Sequence, residues 1–295
     1  MKPFYKTASI ILPILILGNL LFTSCVSRKK IENLNQEINN RNQLISDINR
    51  TNDSIQNIKN NRAANNEIDP QTIKGINKLT DSIKASIEDK NLAGVKPIVK
   101  RIKRRKYKVL NEQIIVANTK LSNLVEDAGI VNDLLHTTSV ERFNTGAFFG
   151  SGKYELAPDA IPAAQKAFTP IITKFGDFEK KYPNKKLEAN FVILGYADEQ
   201  PISEGSELYQ LLSKDVKDPN PTRQQLNLAL SQRRSLNISQ YIKSLVDEQK
   251  KTALQINYIS QGRGEEHPNP SIKDYQENDE RRRIVMIFWS ILPEL

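Results

Sequence analysis

The stretch ALSQRRSLNISQYI, residues 229–242, has the pattern of a helix that packs with one face. Its apolar residues recur at helical spacing: Leu230, Ile238, Tyr241 and Ile242. Arg234 lies midway between Leu230 and Ile238 and therefore falls on the same side of the helix. A guanidinium cannot lose its charge in a protein, so an arginine at the edge of a packed face needs a partner. The stretch predicts a helix over about residues 225–248 and marks Arg234 as a candidate functional residue.

Strand and helix patterns surround this helix from residue 140 onward. The order strand, helix, strand, helix, strand, strand predicts an α+β fold in which two helices pack on one face of a mixed four-stranded sheet. A long polar excursion, residues 199–223, separates the second strand from the second helix. The other predicted segments are a short aromatic strand within 143–156, a helix from Pro158 towards Lys181, and strands at 186–198, 253–260 and 282–289.

Four short motifs lie within or next to these elements. They are GYAD (195–198), NLALSQRRS (227–235), QGRGEEHP (261–268) and ERRRIVMIF (280–288). In this order they resemble G-H-x-D, N-x-x-L-S-x-x-R-A, G-x-G-x-x-x-P and N-R-R-V of the OmpA-like peptidoglycan-binding domain. That module occurs in outer-membrane protein A and in the peptidoglycan-associated lipoprotein. The resemblance covers roughly residues 143–290.

The resemblance implies a ligand and the residues that bind it. The ligand is diaminopimelate of the peptidoglycan stem peptide, whose free end carries an ammonium and a carboxylate on one carbon. Asp198 would bind the ammonium, and Arg234 would bind the carboxylate with two parallel hydrogen bonds. Asn227 would hold the loop between strand and helix. Arg282 and Arg283 would supply structural pairing or further ligand contacts.

The sequence also departs from the family's pattern. Gln200 and Pro201 replace the glycine that usually follows the aspartate, Arg281 replaces the asparagine of N-R-R-V, and the 199–223 excursion is longer than the family's loop. The alternative to a ligand site is a structural salt bridge between Asp198 and Arg234. Both interpretations remain open at the level of sequence.

The N-terminus resembles a bacterial lipoprotein signal. Lys2 and Lys6 precede the apolar run 8–22, and TSC follows it. Residues 1–24 are therefore predicted to be a signal peptide, and Cys25 is predicted to carry acyl chains such as palmitate. The alternative is an uncleaved membrane anchor, although Pro13, Gly18 and Asn19 interrupt the run. Several acyl chains hold a protein firmly at a membrane.

A helical region is predicted between Cys25 and the C-terminal domain. Residues 25–60 form a tether and coiled coil in this prediction, and residues 61–139 form a helical spacer. Heptad a and d positions hold Ile31, Leu34, Ile38, Arg41, Ile45, Ile48, Asn52 and Ile55. The same spacing suits an arm of a helical hairpin that folds back on later helices. The run 99–110, with seven Lys and Arg, is either a solvated helix face or a contact for anionic lipid or wall polymer.

Charge and composition exclude several functions. Residues 25–140 hold 20 Lys and Arg against 13 Asp and Glu, whereas residues 141–295 hold 21 of each. A neutral C-terminal half argues against nucleic-acid binding. With two histidines and one cysteine, no metal cluster, cofactor site or Cys–His nucleophile pair is predicted. Asp198 and Glu199 are neighbours whose side chains should diverge, so they are poorly placed to flank a glycosidic bond.

Two functional hypotheses follow. In the first, residues 140–295 form an OmpA-like domain that binds peptidoglycan, and the protein is a non-enzymatic, periplasm-facing lipoprotein of the outer membrane. In the second, the protein is an envelope scaffold or regulator that recruits a partner complex or a second copy through its helical region. Ligand binding by the C-terminal domain is lost in that alternative.

Overall fold

The computed structural model describes residues 26–88, 96–99, 102–137, 140–144, 149 and 153–294. The predicted signal peptide and Cys25 lie outside these residues. The chain divides into an N-terminal unit, Met1–Asp53 with Thr80–Ala128, and a C-terminal unit, Ser54–Leu79 with Gly129–Leu295. The helices are α1 (Arg28–Ala64), α2 (Pro70–Ile87), α3 (Arg104–Leu135), α4 (Ile161–Lys181), α5 (Glu207–Val216) and α6 (Arg223–Gln249). The strands are β1 (Val140–Asn144), β2 (Leu187–Gly195), β3 (Gln255–Gly262) and β4 (Ile284–Pro293).

The C-terminal unit is built on a mixed sheet with the order β1-β4-β2-β3. β2 and β3 are parallel, with Gly195 opposite Gly262, and β4 is antiparallel to both β2 and β1. The predicted α+β architecture is therefore confirmed. The parallel β2–β3 pair needs a crossover connection, which α6 supplies. Both parallel strands consequently end at the edge of the sheet where α6 begins.

The two faces of the sheet carry different apolar clusters. On one face, alternate residues of β2 and β4 join buried residues of α4 and α6 in the main core, including Phe191, Phe175 and Trp289. The other face holds a second buried cluster of Val192, Leu194, Tyr196, Met286 and Phe288. Burial on both faces explains why β2 and β4 read as continuous apolar runs rather than alternating ones. Ile287, Phe288 and Trp289 of β4 are all buried.

The polar excursion 199–223 contains a helix that the sequence analysis missed. α5 begins after Ser206, whose hydroxyl accepts a hydrogen bond from the Tyr209 backbone N–H. Leu212 of α5 packs with Leu226 and Leu230 of α6. The prediction of two helices in this half was therefore incomplete, because a helix of three turns inside a polar, proline-rich segment has too few apolar residues to stand out.

Residues far upstream also belong to the C-terminal unit. The Asn66 side chain donates to the Pro268 carbonyl at 2.7 Å, and Arg142 donates to the Asn66 carbonyl at 3.2 Å. Gly75 of α2 lies so close to Leu292 of β4 that a Cβ there would be 2.5 Å from the leucine Cδ1. Part of the predicted spacer therefore packs against the sheet domain.

In the N-terminal unit, the heptad seam of α1 is buried by the same chain. Leu34 and Ile38 are fully buried in a cluster with Ile114 of α3. The Asn118 side chain of α3 donates to the backbone carbonyl and side chain of Glu37. These contacts fit the alternative in which α1 packs on later helices of its own chain. Among the described residues, no helix combines the length and apolar character needed to cross a membrane.

Candidate functional site

Asp198 is held just beyond the end of β2 by backbone hydrogen bonds. The Tyr196 N–H donates to the Ile284 carbonyl at 2.9 Å, and the Ala197 N–H donates to the Gly264 carbonyl at 2.7 Å. The Asp198 side chain is only 8% exposed. Its Oδ2 lies 3.5 Å from Arg283 Nε in an ion pair, yet it accepts no hydrogen bond from any described residue. A buried carboxylate oxygen without a donor is uncommon and calls for an explanation.

Close packing of α6 on the strand ends brings Arg234 to this edge. A Cβ on Gly195 would lie 2.1 Å from the Ser231 carbonyl oxygen, and one on Gly262 would lie 2.6 Å from the Gln232 nitrogen. Only glycine permits a helix backbone to approach a strand so closely. Ser231 and Ser235 are fully buried on the same side, as expected of small packing residues. Gly195 of the GYAD motif and Gly262 of the QGRGEEHP motif therefore allow α6 to pack directly on the ends of β2 and β3.

Arg234 is buried and is held by backbone and an aromatic ring. It is 6% exposed, its Nε donates to the Lys153 carbonyl at 3.2 Å, and its Cζ lies 5.7 Å from the centre of the Phe149 ring. Burial lowers the pKa of Arg234 to about 10, the charge of Asp198 raises it and that of Arg283 lowers it. The guanidinium therefore stays protonated at neutral pH, and no described carboxylate forms an ion pair with it.

The structure therefore brings Asp198 and Arg234 to one site without pairing them. The described ion pair of Asp198 is with Arg283, which is 31% exposed and also contacts Glu280. The structural salt bridge that the sequence left open as an alternative is not formed between Asp198 and Arg234.

Asn227 holds the loop that carries Asp198, as the resemblance implied. Its amide is buried and donates to the Asp198 carbonyl at 3.0 Å, the Gln200 carbonyl at 3.2 Å and Glu265 Oε1 at 2.8 Å. Asparagine at the first turn of α6 therefore ties the helix to the loops that follow β2 and β3. The motifs did not mark Glu265 as a site residue, although it lies in QGRGEEHP.

Arg282 has a structural position, in contrast to Arg283. It is 2% exposed, Nη1 donates to Glu199 Oε1 at 2.7 Å, and Nη2 donates to the Glu265 carbonyl at 2.7 Å. The hydrogen bond from Arg282 is the largest cause that lowers the pKa of Glu199, and Arg223 contributes to the same shift. Of the two possible roles for Arg282, these contacts favour structural pairing. Arg282 ends a short 3-10 turn, Glu280–Arg282, and Arg283 caps that turn, so both arginines precede β4 rather than lying within the strand.

Asp198 and Glu199 point to different partners, as expected for chain neighbours. Asp198 faces Arg283, whereas Glu199 pairs with Arg282 and Arg223. This divergence argues against a carboxylate pair that flanks a single bond. The described residues also contain no group of three or more His, Cys, Asp or Glu that could hold a metal ion.

Two clefts open near the site. One of about 500 Å³ is lined by Glu199, Arg223, Arg263 and Glu265 among others, and one of about 910 Å³ runs along the outer side of α6 past Tyr154 and Arg233. Neither of these clefts is lined by Asp198 or Arg234. The α5 helix lies beside the larger one, where its Asp215 pairs with Arg233.

Comparisons with known proteins return weak structural likenesses. No protein-family model matches the chain, and no curated protein matches it. A putative MotB-like protein from Desulfovibrio vulgaris is 21% identical, with a TM-score of 0.30 over 51% of this chain and 71% of that one. The OmpA-like domain of FopA1 from Francisella tularensis is 20% identical, with a TM-score of 0.27 over 52% and 72%. The cell wall anchor of the T6SS from Pseudomonas aeruginosa is 15% identical, with a TM-score of 0.26 over 54% and 85%. At these scores the likenesses do not decide function.

Proposed function

We propose that the C-terminal unit binds peptidoglycan non-covalently through diaminopimelate of the stem peptide. In this proposal the protein is a non-enzymatic outer-membrane lipoprotein, anchored through Cys25 and facing the periplasm, that links the membrane to the cell wall. The observation that carries the proposal is that, among the described residues, the buried Asp198 Oδ2 accepts no hydrogen bond and the buried Arg234 guanidinium pairs with no carboxylate.

The chemistry of the two side chains fits a zwitterion. An ammonium would supply the missing hydrogen-bond donor to Asp198 Oδ2, and a carboxylate on the same carbon would accept from the Arg234 guanidinium. Both contacts would be charge-assisted hydrogen bonds, the stronger class in proteins. The Lys153 carbonyl accepts a hydrogen bond from Nε of Arg234, and no described residue accepts one from its two terminal nitrogens, which in this proposal bind the ligand carboxylate.

Binding to purified sacculi tests the proposal. The chain from residue 26 onward, which retains all described residues, is mixed with diaminopimelate-containing sacculi, sedimented and quantified. We expect Asp198→Asn and Arg234→Gln each to weaken binding by roughly 10- to 100-fold, since each removes a charge-assisted hydrogen bond to the ligand. Free diaminopimelate should compete for the wild-type site, and cadaverine, which has both ammonium groups but no carboxylate, should compete far less.

Arg233→Gln is the matched control. Arg233 is the preceding residue on α6, but it pairs with Asp215 on the outer side of the helix. Its replacement should leave sacculus binding unchanged, while circular dichroism verifies that all three variants fold. Wild-type binding by both site variants would show that the site is wrongly assigned. Failure of the wild-type chain to bind sacculi would favour the alternative role as an envelope scaffold.

A further inference from the structure

The first residues after Cys25 lie beside the basic run of the sequence. In the N-terminal unit, the Val26 N–H donates to the Ile102 carbonyl at 3.3 Å. The Asn35 side chain both donates to and accepts from the backbone of Ile98, at 3.0 and 2.7 Å. Leu34 and Ile38 pack with Ile102 and Tyr107. The start of α1 and the start of α3 are therefore fixed side by side.

This juxtaposition concentrates positive charge at one place. The basic patch consists of exposed residues from both segments: Lys29, Lys30, Lys103, Arg104, Arg105 and Lys106. None of these six forms an ion pair with a carboxylate in the part of the chain that the structure describes. Flanking charges are partly neutralised, because Arg28 pairs with Glu32 and Lys108 lies 4.0 Å from Glu112. A cleft of about 740 Å³ opens within the patch, lined by Val26, Ser27, Lys30, Arg104, Arg105 and Tyr107, with Lys108 at its side.

We infer that the basic patch binds the headgroups of anionic phospholipids in the membrane to which Cys25 is attached. The orientation rests on the lipid anchor of the proposed function, since Val26 is the residue next to Cys25. Acyl chains on that cysteine would place the patch within a residue or two of the headgroups. Clusters of four to eight Lys and Arg next to a membrane attachment bind anionic lipid, and Tyr107 supplies an amphipathic ring suited to the interface.

Position and rigidity favour a lipid surface over a wall polymer as the partner. The basic patch holds six cations without described carboxylate partners. The hydrogen bonds of Asn35 with Ile98 and of Val26 with Ile102 hold its two segments together, so the patch is a preorganised surface next to the attachment point. The proposal therefore gives the basic run a second anchoring role: acyl chains resist extraction, and the patch holds the N-terminal unit against the headgroups. Electrostatic attraction of this kind falls off within a Debye length, so only a patch close to the anchor can use it.

Vesicle sedimentation tests the patch without the anchor. The chain from residue 26 onward is used because the apolar run 8–22 would bind any bilayer and mask the effect. We expect it to bind vesicles of equal parts phosphatidylglycerol and phosphatidylcholine, to bind pure phosphatidylcholine far less, and to dissociate as salt is raised. Changing Lys30→Gln, Arg104→Gln and Arg105→Gln together should weaken binding to the anionic vesicles roughly 100-fold.

The matched control removes the same charge elsewhere. Lys166→Gln, Lys180→Gln and Lys243→Gln change exposed lysines of the C-terminal unit, and this variant should bind the anionic vesicles as the wild type does. An equal loss in both triple variants would overturn the proposal, because net charge alone would then explain binding. Unchanged vesicle binding in the patch variant would overturn it directly. Loss of sacculus binding in the patch variant would do the same, by showing that the patch contacts the wall.

The two proposals can fail separately. Arg234→Gln should lose sacculus binding and keep vesicle binding, and the patch variant should do the reverse. In the full chain reconstituted into the same two lipid mixtures, we expect amide hydrogen exchange of residues 102–110 to be slower in the anionic membrane. Equal exchange in both lipids would show that the anchored protein does not use the patch.

Discussion

Replacing Arg282 with methionine should lower the free energy of unfolding by about 3–5 kcal/mol. Arg282 is 2% exposed and bonds to Glu199 and to the backbone carbonyls of Glu265 and Gln276. Methionine fills much of the volume but leaves the Glu199 carboxylate and two carbonyls without this donor. Urea-induced unfolding of the two proteins, followed by circular dichroism, measures the difference.

Arg283→Met is the matched control for this prediction. The same substitution one residue later affects a side chain that is 31% exposed and pairs with Asp198 and the exposed Glu280. Solvent screens the pair with Glu280, but the buried Asp198 would lose its described ion pair, so the loss should be about 1–2 kcal/mol, smaller than for Arg282. Equal losses in the two variants would contradict the division between a structural and a partly exposed arginine.

Lowering the pH should reduce the loss of unfolding free energy caused by Arg282→Met. The hydrogen bond from Arg282 holds the pKa of Glu199 below its ordinary value, so the unfolded chain takes up the proton first as pH falls. The resulting stabilisation is complete above the unfolded pKa and is lost as pH drops through the folded pKa. The unfolding free energies of wild type and Arg282→Met should therefore differ most at neutral pH and less once Glu199 is protonated. A difference in unfolding free energy that does not change with pH would show that Glu199 is not the main partner of Arg282.

Much of the C-terminal fold could be predicted because its elements carry independent signals. Thr222 and Gln225 form a capping box, so the start of α6 is marked in the sequence itself. The apolar runs of β2 and β4 are long enough to identify buried strands without knowledge of the tertiary structure. The short α5 could not be predicted in this way, because the packing of Leu212 with Leu226 and Leu230 is visible only in the tertiary structure.

The partner of a buried charge is harder to predict than its location. Sequence motifs placed Asp198, Asn227 and Arg234 at the same edge, and the structure does bring them together. The motifs did not distinguish Arg282 from Arg283, since adjacent arginines in a tight turn point in different directions. Nor did they reveal that the Lys153 carbonyl binds Arg234, because a backbone acceptor has no residue-type signature.

Heptad spacing likewise left the packing partner of α1 open. A buried a/d seam looks the same whether another chain or a later helix covers it. The decision depends on contacts such as those of Asn118 with Glu37, which join residues far apart in sequence. Arg41, a charged residue among the a and d positions, is 3% exposed on this seam.

Gly195→Ala should lower the free energy of unfolding by roughly 3 kcal/mol or more and should also weaken sacculus binding. The new Cβ would meet the Ser231 carbonyl oxygen at 2.1 Å, a backbone atom that cannot rotate away. Overpacking of this kind displaces whole elements rather than single side chains. The displaced element would be α6, which carries both Asn227 and Arg234, so the substitution should separate Arg234 from Asp198. Thermal unfolding and sacculus sedimentation measure the two effects.

Gly129→Ala provides the contrasting substitution. Gly129 lies within α3, and a Cβ there would meet no described atom within 4 Å outside its own stretch of helix. Alanine in a helix interior is favoured over glycine by about 0.5–1 kcal/mol, so this variant should be slightly more stable and bind sacculi as the wild type does. If Gly195→Ala were as stable as wild type and still bound sacculi, the close contact of α6 with the end of β2 would not be what positions Arg234. A stable Gly195→Ala variant that has lost binding would instead separate the two roles, with the contact needed for the site but not for the fold.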